Sequence, residues 1–144
     1  MRKRIYVVCA CIVDQNRVLL DRRAKGTHLA DHWEFPGGKR EEGESDEEAL
    51  KREIQEELGV SCQLRSGRNP IARVIHAYDD FDVELVLYDI NIEGEPRAVE
   101  VAEIRWFPVN ELTSLQMPPA DVPLVDAVMQ TYERDMSTTE SKYD

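Results

Sequence analysis

The chain has 144 residues, 42% of them hydrophobic and 33% charged, with a net charge of −11. That length supports one domain with its own core, and the composition excludes a disordered chain. The acidic balance argues against a stable nucleic-acid partner, and no apolar run approaches the roughly 20 residues of a membrane span.

The first expected element is a strand over residues 5–13, a continuous apolar run suited to burial on both faces. The basic start, Met1-Arg2-Lys3-Arg4, is what a signal peptide would show. However, the run is β-branched, ends in Asp14-Gln15-Asn16 and has no small-residue cleavage site, so a cytoplasmic protein is expected. Cys9 and Cys11 share a strand face and, with Cys62, are expected to be buried free thiols. Residues 17–23 read as the partner strand of a hairpin, and 24–32 as a polar loop. His28 and His32 stand four apart there, but no third ligand is spaced for zinc. Trp33-Glu34-Phe35 is a short extended piece stopped by Pro36-Gly37-Gly38.

The clearest helix covers residues 46–58. Ser45 and Glu48 form a capping box, Gly59 stands where a left-handed residue is wanted, and Leu50, Ile54 and Leu58 make the apolar stripe. Strands are expected at 62–65, 71–78, 83–91 and 103–107, with His76 structural and Trp106 in the core. A last helix is expected over 122–134, facing inward with Leu124, Val125, Val128, Met129 and Tyr132. Residues 1–136 then form one domain, and 137–144 a polar, disordered tail. Strands mixed with two helices imply an α/β sandwich.

Acid is concentrated between residues 41 and 57, which is either a solvated helix face or a divalent-cation site. Glu53, Glu56 and Glu57, at i, i+3 and i+4, cluster beside the apolar stripe and repel one another. A bound Mg²⁺ would relieve that conflict. Pro36-Gly37-Gly38-Lys39 is either an ordinary turn or a phosphate-binding turn, with exposed amides and a cation at Lys39.

The spacing of these pieces is far more specific. Gly38 is followed by five residues, Glu44, seven residues, and then Arg52-Glu53-Ile54-Gln55-Glu56-Glu57-Leu58-Gly59-Val60. That pattern matches the Nudix box at its nine specified positions, and the chain is identified as a member of the Nudix hydrolases. Arg22-Arg23, His28, the run Trp33 to Gly38, Gly94-Glu95-Pro96, Glu100, Trp106 and Pro118 to Pro123 resemble the MutT branch, which hydrolyses nucleoside triphosphates.

The resemblance implies a Nudix fold, a mixed β-sheet sandwiched between helices. It implies a Mg²⁺ enzyme, with Mn²⁺ able to substitute, that releases pyrophosphate from a nucleoside triphosphate. Glu53, Glu56 and Glu57 would hold metal, helped by a backbone carbonyl at Gly37 or Gly38 and by Glu100 from a later loop. Glu53 would be the general base, with Glu100 in reserve. Arg52 would orient Glu53, and Glu44 would support the loop. Lys39 and Arg23 would neutralise phosphate charge. His28, Glu34, Phe35, Pro36 and Gly37 would contribute to the nucleotide site, with Phe35 against the base.

Asp121 has two readings, a helix cap or a reader of the base edge. MutT itself carries asparagine there, whereas cytidine-nucleotide pyrophosphohydrolases carry aspartate in a similar Pro-Ala-Asp-x-Pro setting. Arg23 and His28 point back to oxidised guanine. The alternatives are another nucleoside diphosphate-linked substrate, such as a sugar nucleotide, a dinucleoside polyphosphate or an RNA 5′ end, and a non-catalytic nucleotide sensor. Monomer and homodimer are both open.

Overall fold

The computed structural model describes residues 2–23, 31–65 and 69–143, with side chains through Tyr132. The elements in chain order are β1 (Lys3–Cys11), β2 (Val13–Asp14), β3 (Arg17–Arg22), β4 (Trp33–Glu34), β5 (Gly37–Lys39), α1 (Asp46–Leu58), β6 (Ser61–Leu64), β7 (Ala72–Ala77), β8 (Phe81–Glu93), β9 (Glu103–Pro108) and α2 (Val122–Tyr143). Short 3-10 helices occupy Val109–Ser114 and Pro119–Asp121.

Strand alternation divides the core in two. Val8 and Ala10 of β1 and Val86, Tyr88 and Ile90 of β8 pack against Leu50, Ile54 and Leu58 of α1. Cys9 and Cys11, with Leu85 and Leu87, face the other way, toward Leu124, Val125, Val128 and Tyr132 of α2. The sheet therefore lies between the helices, and the cysteines are buried and free. Among the described residues, no helix is long and apolar enough to cross a membrane.

β1 and β8 run parallel from Lys3↔Phe81 to Cys11↔Asp89. β5 flanks β1 antiparallel, while β7 and β6 pair end to end along the other edge of β8. A second sheet joins β2, β3 and β4, with β9 on the free side of β3.

The structure changes two expectations. The hairpin after β1 is short: only Val13↔Val18 and Asp14↔Arg17 pair, around Gln15 and Asn16 at φ 52° and 60°. That left-handed turn sends β3 into the second sheet, between β4 and β9, instead of along β1. Gly37–Lys39, read as a turn, is a strand edge held by Val7↔Lys39, Val8↔Gly38 and Cys9↔Gly37. α2 itself runs from Val122 to Tyr143, with no proline or glycine after Pro123 to interrupt it.

Candidate functional site

α1 is fixed at both ends. Ser45 Oγ accepts the Glu48 amide at 3.1 Å, Glu48 Oε1 accepts the Ser45 amide at 3.0 Å, and Gly59 closes the helix at φ +71°. With Leu50, Ile54 and Leu58 in the core, Glu53 and Glu57 are turned toward β5. The two glycines of β5 each meet one glutamate. The Gly37 amide donates to Glu57 Oε2 at 3.0 Å. The Glu53 carboxyl lies against Gly38 so closely that a Cβ there would stand 2.4 Å from its carboxyl carbon. Gly37 has a different constraint. Its φ is +151°, and a Cβ would fall 2.0 Å from the carbonyl oxygen of Val8.

Arg52 ties the loop to the helix. Its Nε and Nη2 donate to the two Glu44 oxygens at 2.8 and 2.9 Å, a bidentate fork. Nη2 also donates to the Lys39 carbonyl at 3.0 Å, and Nη1 to Glu53 Oε1 at 2.8 Å and Glu56 Oε2 at 3.5 Å. Hydrogen bonds from Arg52 and the Glu41 amide push the Glu44 carboxyl down to about 2. Glu53 is raised above the usual carboxylate range by burial, against the pull of Arg52.

Behind Glu53 the site becomes drier and more acidic. Burial, with the charges of Glu53 and Glu34, pushes Glu57 up to about 8. Burial, then the Glu34 charge, pushes Asp121 up to about 7. Asp121 Oδ2 accepts the Phe35 amide at 3.3 Å, and among the described residues no α2 amide reaches it. Arg23 Nε donates to Glu34 Oε2 at 2.7 Å.

A cavity of about 450 Å³ adjoins this acidic group, within the range of roughly 300–1,000 Å³ usual for small-molecule sites. Gly37, Gly38 and Lys39 line part of it, and Arg23, Glu34 and Asp121 another part. Tyr78 and Phe81, either side of the β7–β8 turn, belong to its wall and escaped the sequence reading. They flank an exposed Asp79-Asp80 turn, whose position gives no sign that the flanking rings face the box. Phe35 lines the cavity too but is only 3% exposed, packed with Phe107 and Leu124. Pro36 is buried, off the cavity wall, and its carbonyl accepts the Ala10 amide at 2.8 Å.

Glu56 and Glu100 are exposed. Glu100 follows a segment stitched to the end of α1 by Val99 N–H to Glu57 O and Arg97 N–H to Leu58 O, each at 2.9 Å. His28 lies outside the described residues. Among the described residues, no group of three acidic, histidine or cysteine side chains is already arranged to hold a metal ion. The donor chemistry nevertheless suits a hard divalent cation: carboxylate oxygens stand on neighbouring turns, and glycine leaves room for one of them against the backbone.

The raised carboxyls set a pH dependence for the metal-free protein. A folded state that keeps protons on Glu57 and Asp121 loses stability as pH rises from the ordinary carboxylate range through about 8. Glu44 works in the opposite sense, its contribution vanishing as pH falls from about 4.5 toward 2. In chelator, Tm should therefore peak near about pH 5 and fall by several degrees by about pH 8.5. A flat melting profile over that span would mean these carboxyls are solvated.

Relatives agree with the geometry. The model of the NUDIX domain family matches residues 7–127. The 8-oxo-dGTP diphosphatase of Escherichia coli (strain K12) is 34% identical over 125 residues, covering 85% of this chain and 95% of that protein. The CTP pyrophosphohydrolase of the same organism is 33% identical over 132 residues, covering 88% and 93%. A solution structure of MutT, a Nudix hydrolase from methicillin-resistant Staphylococcus aureus 252, superposes with a TM-score of 0.72 at 36% identity, covering 91% of this chain and 99% of that one. With the family model spanning most of the chain and the box residues gathered where α1 meets β5, this protein belongs to the NUDIX domain family.

Proposed function

We propose that the protein is a divalent-cation-dependent pyrophosphohydrolase that cleaves nucleoside triphosphates to the monophosphate and pyrophosphate, clearing oxidised-guanine or cytidine-type nucleotides from the pool. The observation that carries this reading is the adjacency of Glu53 and Glu57, which belong to a complete Nudix box, to a cavity edged by both Lys39 and Asp121. Phosphates would lie at the glycine turn and the base toward Asp121, Tyr78 and Phe81.

Glu53, Glu56, Glu57 and Glu100, with a backbone oxygen at Gly37 or Gly38, are the groups that would hold Mg²⁺, or Mn²⁺ in its place. When bound, such a cation neutralises phosphate charge and acidifies a coordinated water. Glu53 takes the proton of the attacking water as the new O–P bond forms and the phosphoanhydride P–O bond breaks; Glu100 is the alternative base. Arg52 holds Glu53 in place, and Glu44 holds Arg52. Lys39 and Arg23 offset the charge that grows on the phosphate oxygens. Arg23 is already aligned by Glu34.

The base edge falls to Asp121. The cap reading does not suit its hydrogen bond to Phe35, and above about pH 7, where it is ionised, the aspartate only accepts, which favours donor-rich edges such as those of cytosine and guanine. The test measures kcat/KM and products for CTP, dCTP, dGTP and 8-oxo-dGTP, in Mg²⁺ and in chelator, for the wild type and Asp121→Asn. Pyrophosphate should appear only with the cation. The substitution should shift the ratio between two bases about 10- to 100-fold, the worth of one unpaired polar group. No pyrophosphate from any triphosphate would defeat the proposal, and parallel changes across all four would remove Asp121 from base selection.

A further inference from the structure

Asp21 has no part in the roles assigned above, yet it is the least accessible acid described. It is fully buried on β3, after Val18, Leu19 and Leu20. Alternation places it on the same side as Leu19, which packs in the α1-side cluster with Ile54 and Leu58. Across the strand pair it stands directly opposite Glu34. Among the described residues, no N–H or hydroxyl reaches either carboxylate oxygen, and the polar groups within reach are the carboxyls of Glu57 and Glu34. Its polar surroundings are acidic: Glu57 first, then Glu34, then Asp121.

An apolar residue would complete this strand at no electrostatic cost. A buried carboxyl without a donor is costly, and acids directly opposite across a strand pair add to that cost. Arg23 is engaged with Glu34 at 2.7 Å. What the cluster lacks is positive charge beside Glu57, which is one of the residues proposed to hold the divalent cation.

We propose that Asp21 is a positioning residue of the cation site: it backs Glu57 with a second acid, so that the metal-free protein is strained and a divalent cation bound by Glu57 is held more tightly. The proposal rests on the cation role given to Glu57 above. Its own content is the opposite pull of residue 21 on metal-free stability and on cation affinity.

The experiment compares the full chain with Asp21→Asn and Asp21→Leu, and with Asp126→Asn on the exposed face of α2 as control. Two quantities are read: Tm in chelator, and Mn²⁺ affinity by calorimetry or by the EPR signal of free Mn²⁺. Asp21→Asn should raise the metal-free Tm by several degrees and weaken Mn²⁺ binding about 10-fold or more, as loss of a residue behind a metal ligand does. Asp21→Leu should do the same, and Asp126→Asn should change neither. A purely structural aspartate would not move Mn²⁺ affinity. Unchanged affinity in both Asp21 variants, beside clear binding by the wild type, would overturn this inference alone. A lower metal-free Tm in both variants would also overturn it, making Asp21 a packing element of β3. No Mn²⁺ binding by the wild type would overturn both this inference and the cation role proposed for the box.

Discussion

Glu53→Gln should lower kcat by about 10²–10⁴-fold through loss of the base alone, and further through weakened cation binding, while leaving the fold intact. The glutamate is half-buried, receives Arg52 Nη1 at 2.8 Å and rests against the Gly38 backbone. Burial raises its proton affinity, which brings a carboxylate closer to what a base needs near neutral pH. Glutamine keeps the shape and an oxygen for Arg52 but removes the charge. Glu48→Gln is the matched control. It lies on the same helix, and among the described residues its oxygen accepts the Ser45 amide alone, a bond glutamine can also accept. Steady-state kinetics and thermal melts on both variants decide the matter. Similar kinetic losses in the two would mean that α1 acts through its packing and that Glu53 is not the base.

The two glycines of β5 should separate chemistry from folding. In Gly38→Ala the new methyl meets the Glu53 carboxyl, the far end of a flexible side chain, so that end swings away and the strand survives. Displacing a catalytic group by an ångström costs about 10²-fold, so kcat should fall by at least that with little change in Tm. In Gly37→Ala the methyl meets the Val8 carbonyl of a central strand, which has nowhere to go. The strain should destabilise the fold by on the order of 3 kcal/mol. Melting curves and kinetics of the pair give the test; Gly38→Ala with full activity would mean that Glu53 works from another position.

Local signals explain what the sequence revealed. α1 spans the expected residues, since a capping box, an apolar stripe and a following glycine all act within a few positions of one another. Apart from β5, the strands of the main sheet fall close to expectation for the same reason, with β8 extended to Phe81–Glu93. Features set by distant partners were hidden. Gly37–Lys39 becomes a strand only because β1 offers an edge, and no propensity of glycine announces that. Asp21 looks like an ordinary polar residue before Arg22-Arg23 until β4 and α1 close over it. Tyr78 and Phe81 reach the cavity through a β7–β8 register that local pattern does not specify. The box was legible as a list of acids, but which of them would be dry and which wet depended on tertiary burial. Glu57 is half-buried while Glu56, one residue earlier, is exposed.

The stitching of residues 97–99 to the end of α1 bears on how the site comes apart. Glu57 and Leu58 are among the terminal residues of a helix whose carbonyls have no intrahelical partner, and the later loop takes up both. The ordering entropy of that loop is therefore met when the chain folds, not when a nucleotide arrives. Because Val99, next to Glu100, is bonded to the Glu57 carbonyl, opening of one is expected to carry the other with it. Fraying of the last turn of α1 would release both acids together, so the site would be lost in a single step and not residue by residue.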